Sequence, residues 1–120
     1  ECFNVSIPSG FANIYKYNLE LYRRMVNWCY NRGYQPVFIF LPISPEFDRL
    51  LSDGFRQRNY YDFAKAIDAS VPIYDYMRDP LYRSHDCALF LDGYCLNKSG
   101  RVLFTREVVR HLIEDGFLKR

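Results

Sequence analysis

The feature that most constrains this chain is a run of five apolar residues, Val37-Phe38-Ile39-Phe40-Leu41, held between Pro36 and Pro42. Such a run has no polar face to turn to water. It fits a strand covered on both sides, as in a parallel sheet with helices packed above and below. A helix pattern precedes it: Ile14, Tyr17, Leu21, Met25 and Trp28 recur at steps of three and four, with Tyr22 and Cys29 widening the stripe. That spacing predicts an amphipathic helix from about Asn13 to Arg32, stopped by Gly33. Its aromatic stripe (Tyr17, Tyr22, Trp28) is expected to face the core or the sheet, and Arg23, Arg24 and Arg32 a solvated side. Helix then buried strand is a βα-type layer order.

Downstream, Ser44-Pro45-Glu46 is a helix-start signal, with Ser as N-cap, Pro at the first helical position and an acid near the positive pole. Phe47, Leu50 and Leu51 give that short helix a buried side, and Gly54 ends it. Tyr60, Phe63, Ala64 and Ile67 mark another helix, from about Arg56 to Ser70. Val71-Pro72-Ile73-Tyr74 reads as a short strand leading into Asp75, which suits a turn or cap. Asp79 to Asp86 reads as a polar loop, and Ala88-Leu89-Phe90-Leu91 as a third extended piece. Asn97 or Ser99 caps a last helix that buries Val102, Val109, Leu112 and Ile113, carries a structural His111 near its end and stops at Gly116. Two clear strands are few for a free-standing sheet, so further strands are expected upstream.

A length of 120 residues fits one compact domain, read here as a single, incomplete one over 1–120. Sixteen Lys and Arg against fourteen Asp and Glu leave a net charge of +2, too balanced for a nucleic-acid footprint. Hydrophobic residues make up 49%, which excludes a disordered tail. No run approaches a membrane span, and no signal-peptide pattern opens the chain. The methionines are Met25 and Met77 and the chain starts at Glu1, as expected of a processed product, an excised domain or a fragment. Cys2, Cys29, Cys87 and Cys95 show no C-x-x-C spacing, so zinc-ribbon and thioredoxin chemistry are not indicated.

In open α/β sheets, working residues collect at the carboxyl ends of the strands. Three turns qualify: Leu41–Glu46, Tyr74–Asp79 and Leu91–Gly100. The last reads Asp92-Gly93-Tyr94-Cys95-Leu96-Asn97, then Gly100 and Phe104-Thr105. Here the chain resembles the SGNH (GDSL-type) hydrolases and their relatives in cell-surface polymer modification, the DltD-like and alginate-acetylation proteins. Their last block runs Asp-x-x-His-Leu-Asn, then Gly and a helix that often carries Phe-Thr. The likeness covers about Asn13 to the C-terminus and matches the C-terminal half of such a domain.

The resemblance implies the C-terminal portion of a three-layer α/β/α, flavodoxin-like parallel-sheet sandwich. It implies esters of envelope polysaccharide or teichoic acid as substrates, a membrane acyltransferase as partner, and an extracytoplasmic, membrane-associated setting. No cofactor is implied. In active relatives the carboxylate orients the imidazole that takes a proton from serine. Asp92 holds the acid position here, but Cys95 holds that of the histidine. A thiol of pKa near 8.5 is only about 3% thiolate at neutral pH, and an ionised Asp92 lowers that further. The expectation is a degenerate dyad; the alternative is a non-catalytic binding or assembly module of a surface-polymer pathway. The family's serine block is absent, as expected if it lies upstream. Beside these readings, Asp92-Gly93 is a common turn pair, and Cys95 suits a small buried residue. A Cys87–Cys95 disulfide and a metal site of His85, Asp86, Cys87, Asp92 and Cys95 stay open, although that spacing matches no common zinc site.

Overall fold

The structure is a computed structural model that describes residues 9–83 and 88–119. Helix α1 (Ser9–Asn31) is followed by strand β1 (Phe38–Phe40) and the short helices α2 (Pro45–Asp48) and α3 (Asp53–Arg56). A π-helical segment, Gln57–Asp62, joins α3 to α4 (Phe63–Ile67) with helical dihedrals at both junctions, so 53–67 runs as one helix with a widened middle. Then come β2 (Ile73–Asp75), α5 (Pro80–Arg83) and α6 (Lys98–Glu114). The chain is mixed α/β, and β1 pairs with β2 in a two-stranded parallel sheet. The segment expected to be a third strand contributes an isolated antiparallel bridge, Phe90 to Leu96.

Contacts gather into two compact units that alternate along the sequence, one of Glu1–Phe40 with Arg49–Tyr74, the other of Leu41–Asp48 with Asp75–Arg120. In the first, Val26, Ile67 and Val71 form the buried cluster, with Leu19, Phe38 and Phe63 packed against it. The Phe63 ring meets Tyr15 and Tyr22 edge-on, at centroid distances of 5.3 and 5.7 Å. Helix α1 therefore buries the face Leu19–Val26. The stripe expected to be inside lies outside: Tyr17 is 62% exposed, Met25 55% and Trp28 51%. The expectation failed because α1 is apolar around much of its circumference, so two stripes satisfy the same period. Nor is the basic side simply solvated. Arg23 donates to the Ala66 carbonyl from Nε (3.0 Å) and Nη2 (2.6 Å), and the Arg32 guanidinium lies 4.1 Å from the centre of the Trp28 ring.

The second unit buries Ile43, Tyr76, Met77, Tyr82, Leu89, Phe90 and Val108. Ser44 caps α2 as expected, its hydroxyl accepting the Phe47 N–H at 3.1 Å. Asn97 caps α6, accepting the Gly100 N–H at 3.0 Å. Gly54 does not end a helix but lies in the first turn of α3, which Ser52 caps. The inner face of α6 also differs from expectation. Val102 and Val109 are exposed, while Gly100 and Val108 are buried and Phe104 packs edge-on against Tyr76 and Tyr82. A β-branched residue suggests burial, but the tight seat of Gly100 sets the rotation of α6: a Cβ there would fall 2.2 Å from the Leu89 carbonyl oxygen. No helix among the described residues is long and apolar enough to cross a membrane.

Candidate functional site

The three turns singled out in the sequence are joined by backbone hydrogen bonds within the second unit. The Ser44 N–H donates to the Gly93 carbonyl at 2.9 Å, and the Ile43 N–H to the Met77 carbonyl at 3.3 Å. The segment after β1 is thus held against both the Leu91–Leu96 turn and the residues after β2. Gly93 is needed where it is, because a Cβ would fall 2.9 Å from Phe47 Cβ. Asp75 makes a turn, its Oδ1 accepting the Met77 N–H at 2.9 Å.

Within the Leu91–Leu96 turn the chain folds back on itself, with Leu91 N–H donating to the Cys95 carbonyl at 2.8 Å. Asp92 sits at the exposed tip. Its Oδ1 accepts the N–H groups of Tyr94 (3.0 Å) and Cys95 (2.8 Å), and these bonds hold its carboxyl below the ordinary carboxylate range. The Cys95 thiol is half-buried and donates to Asp92. Burial first, then that hydrogen bond and the Asp92 charge, push the thiol up. The pair brings together an ionised acceptor and a protonated donor, which is the reverse of a carboxylate supporting a base. Cys95 is a free thiol, so the Cys87–Cys95 disulfide is not formed. Cys87, His85 and Asp86 lie outside the described residues, and among the described residues no group of His, Cys, Asp and Glu is placed to hold a metal.

His111, the histidine among the described residues, is engaged elsewhere. His111 Nδ1 lies 2.6 Å from the Tyr76 hydroxyl, and its ring stacks on that of Tyr76. Arg110 Nη2 lies 2.8 Å from His111 Nε2, and a guanidinium can only donate. Nε2 therefore accepts from Arg110, which leaves Nδ1 to donate to the Tyr76 oxygen. This matches the structural role expected of His111. The neighbouring Tyr82 is fully buried, its hydroxyl has no partner among the described residues, and burial with the charges of Asp79 and Glu107 pushes it up to about 12.

Sequence reasoning missed the best-formed ionic cluster. The buried Asp48 carboxylate accepts Arg78 Nε at 3.0 Å on each oxygen, and Arg83 Nη1 and Nη2 at 3.1 Å on Oδ2. The available signal was an acid next to Phe47 on a four-residue helix that also carries Glu46. Its partners lie 30 and 35 positions away, which no local pattern reveals. In the first unit, an aromatic hollow of about 290 Å3 is lined by Tyr22, Phe38, Phe40, Asn59, Tyr60 and Phe63. Phe40 meets Tyr60 and Tyr61 edge-on along the π-helical segment.

These features define a mixed α/β chain with a small parallel sheet and, in the second unit, three segments joined by backbone hydrogen bonds. No protein-family model, curated protein or solved structure matches the chain.

Proposed function

We propose that this chain is the C-terminal part of an SGNH-like, DltD-like domain of a cell-surface polymer modification system, in which the proton-relay turn has lost its base. On this reading the two-stranded sheet belongs to a three-layer α/β/α sandwich. The substrates of its active relatives are acyl or alanyl esters of envelope polysaccharide or teichoic acid, handled with a membrane acyltransferase outside the cytoplasm. One observation carries the reading: Asp92 and Cys95 are hydrogen-bonded neighbours on a turn whose Gly93 carbonyl is bound by Ser44, in the segment that follows β1. On the proposed likeness these are the positions of the triad acid and base, and burial together with the Asp92 carboxylate pushes the thiol up.

The whole gene product, offered a generic aryl acetate, is expected to give no serine-dependent turnover as wild type. Cys95→His is the matching gain-of-function trial. Wild-type turnover that a serine-directed phosphonate abolishes refutes the proposed loss of the base.

A second reading, a non-catalytic binding or assembly module, has its own observation. Asp92 Oδ1 is committed to two backbone N–H groups, so the carboxylate acts as a turn former. This reading expects Cys95→His to remain inactive and partner binding to survive Asp92→Asn.

A further inference from the structure

Helix α1 is apolar on two sides, and the core of the first unit covers only one of them. On the other, Ile14, Tyr17, Leu21, Met25 and Trp28 remain between 36 and 62% exposed, and Tyr34 (60%) extends the patch just past the helix end. A helix that is apolar around its circumference belongs in an environment that covers it on every side. The indole of Trp28 is already held for contact, with the Tyr34 ring 6.1 Å away and the Arg32 guanidinium 4.1 Å from its centre. Little side-chain freedom is left for it to lose on binding.

The order of the stripe identifies what covers it. Positions 14, 17, 21, 25 and 28 read the same in both directions about Leu21. We infer that this face is covered by a second copy of the same chain, in an antiparallel α1–α1 pair centred on Leu21. A two-fold axis there sets Leu21 on Leu21, Tyr17 opposite Met25 and Ile14 opposite Trp28, a ring against an aliphatic side chain at each outer level. The charges agree. Helix α1 carries Lys16, Glu20, Arg23 and Arg24, and at about 100° per residue none of them falls on the stripe. Arg23 is engaged by the Ala66 carbonyl, and Lys16 lies on the side away from the stripe. Glu20 and Arg24 stand along one border, both exposed and, among the described residues, in no ion pair. An antiparallel two-fold brings that border against its own copy, so Glu20 of each chain meets Arg24 of the other. The opposite border holds no Lys, Arg, Asp or Glu. The exposed side chains offer roughly 600 Å2 per copy, so the pair buries about 1,200 Å2, where stable interfaces begin. The inference is independent of the proton-relay reading, since α1 lies in the first unit and Asp92 and Cys95 in the second.

Sedimentation equilibrium of the 120-residue chain is the test, with a reversible monomer–dimer equilibrium of Kd on the order of micromolar expected. Leu21→Arg puts two like charges on the axis and is expected to weaken pairing at least roughly a hundredfold, with an unchanged circular-dichroism spectrum. Val102→Arg, which also replaces an exposed apolar residue but on α6, is expected to pair as wild type. Glu20→Arg makes the charged border wholly basic and Arg24→Glu makes it wholly acidic. Each alone is expected to pair roughly tenfold more weakly, and their equimolar mixture to form a heterodimer tighter than either. A chain that stays monomeric at about 0.5 mM overturns the inference. So do equal losses in Leu21→Arg and Val102→Arg, a mixture no tighter than its components, or dissociation of the pair by phosphatidylglycerol vesicles. A whole gene product that is monomeric where the 120-residue chain pairs also overturns it, because another part of the same polypeptide then covers the face.

Discussion

Replacing Gly100 by alanine tests the seat of α6 directly. In an exposed helix this change stabilises by up to about 1 kcal/mol. Here the new methyl would lie 2.2 Å from the Leu89 carbonyl oxygen and 3.0 Å from Leu96 Cδ2. Reaching an ordinary carbon–oxygen separation of about 3.3 Å requires roughly 1 Å of movement. The Leu89 carbonyl cannot give way freely, because it accepts the Asn97 N–H at 2.9 Å, and Asn97 also donates to the Ala88 carbonyl at 2.7 Å while capping α6. Overpacking costs about 1–3 kcal/mol, and loss of the Leu89–Asn97 bond about 1 more. After subtracting the helix gain, the net destabilisation is about 2 kcal/mol, a fall of roughly 8 °C in Tm for a chain of this size. Gly54→Ala is the control, since nothing lies within 4 Å of its Cβ position. Thermal and urea unfolding of both variants supply the measurement. A Gly100→Ala protein that melts within about 2 °C of wild type means α6 does not approach Leu89 as described.

Asp48→Asn removes the charge shared by Arg78 and Arg83. Breaking a fully buried pair costs about 3–5 kcal/mol, but these guanidiniums are partly solvated, so urea unfolding should record about 2, and a change below about 0.5 contradicts the cluster. Tyr82→Phe deletes a buried hydroxyl that has no partner among the described residues, and is expected to leave the urea midpoint unchanged or raise it; a clear loss of stability would mean the hydroxyl is bonded. The Cys95 thiol, pushed up by burial and then by Asp92, should react with iodoacetamide along a pH curve displaced above that of an ordinary thiol. Peptide mapping should find it slow at neutral pH, faster in urea and faster in Asp92→Asn; equal rates in all three would remove Asp92 from its control.

Local chemistry made part of this molecule readable. The apolar run marked β1, and Ser44 and Asn97 announced their helices because an N-cap is a contact between residues two or three apart. The adjacency of Asp92 and Cys95 was legible for the same reason. What failed was rotation and distance. In α1 the apolar residues spread too widely for period alone to choose between the Tyr17–Met25 stripe and Leu19–Val26. In α6 the valines suggested one face, while the close approach of Gly100 to Leu89 imposed another. Gly54 suggests a stop by its type alone, whereas Ser52 caps the helix that contains it. The Asp48 cluster and the engagement of Arg23 by Ala66 depend on residues brought together from far along the chain, and composition carries no trace of them.

The alternation of the two units along the sequence has a consequence for synthesis. Leu41–Asp48 emerges from the ribosome well before the residues that hold it, since Arg49–Tyr74 must be made first. At roughly 5–20 residues per second that interval lasts on the order of seconds. During it, Ile43 and the Asp48 carboxylate have neither Met77 nor the two arginines to bind. Because the boundaries fall at Phe40, Asp48 and Tyr74, no single peptide-bond cleavage can release either unit whole. Unit two is thus obliged to form late, around a segment translated early.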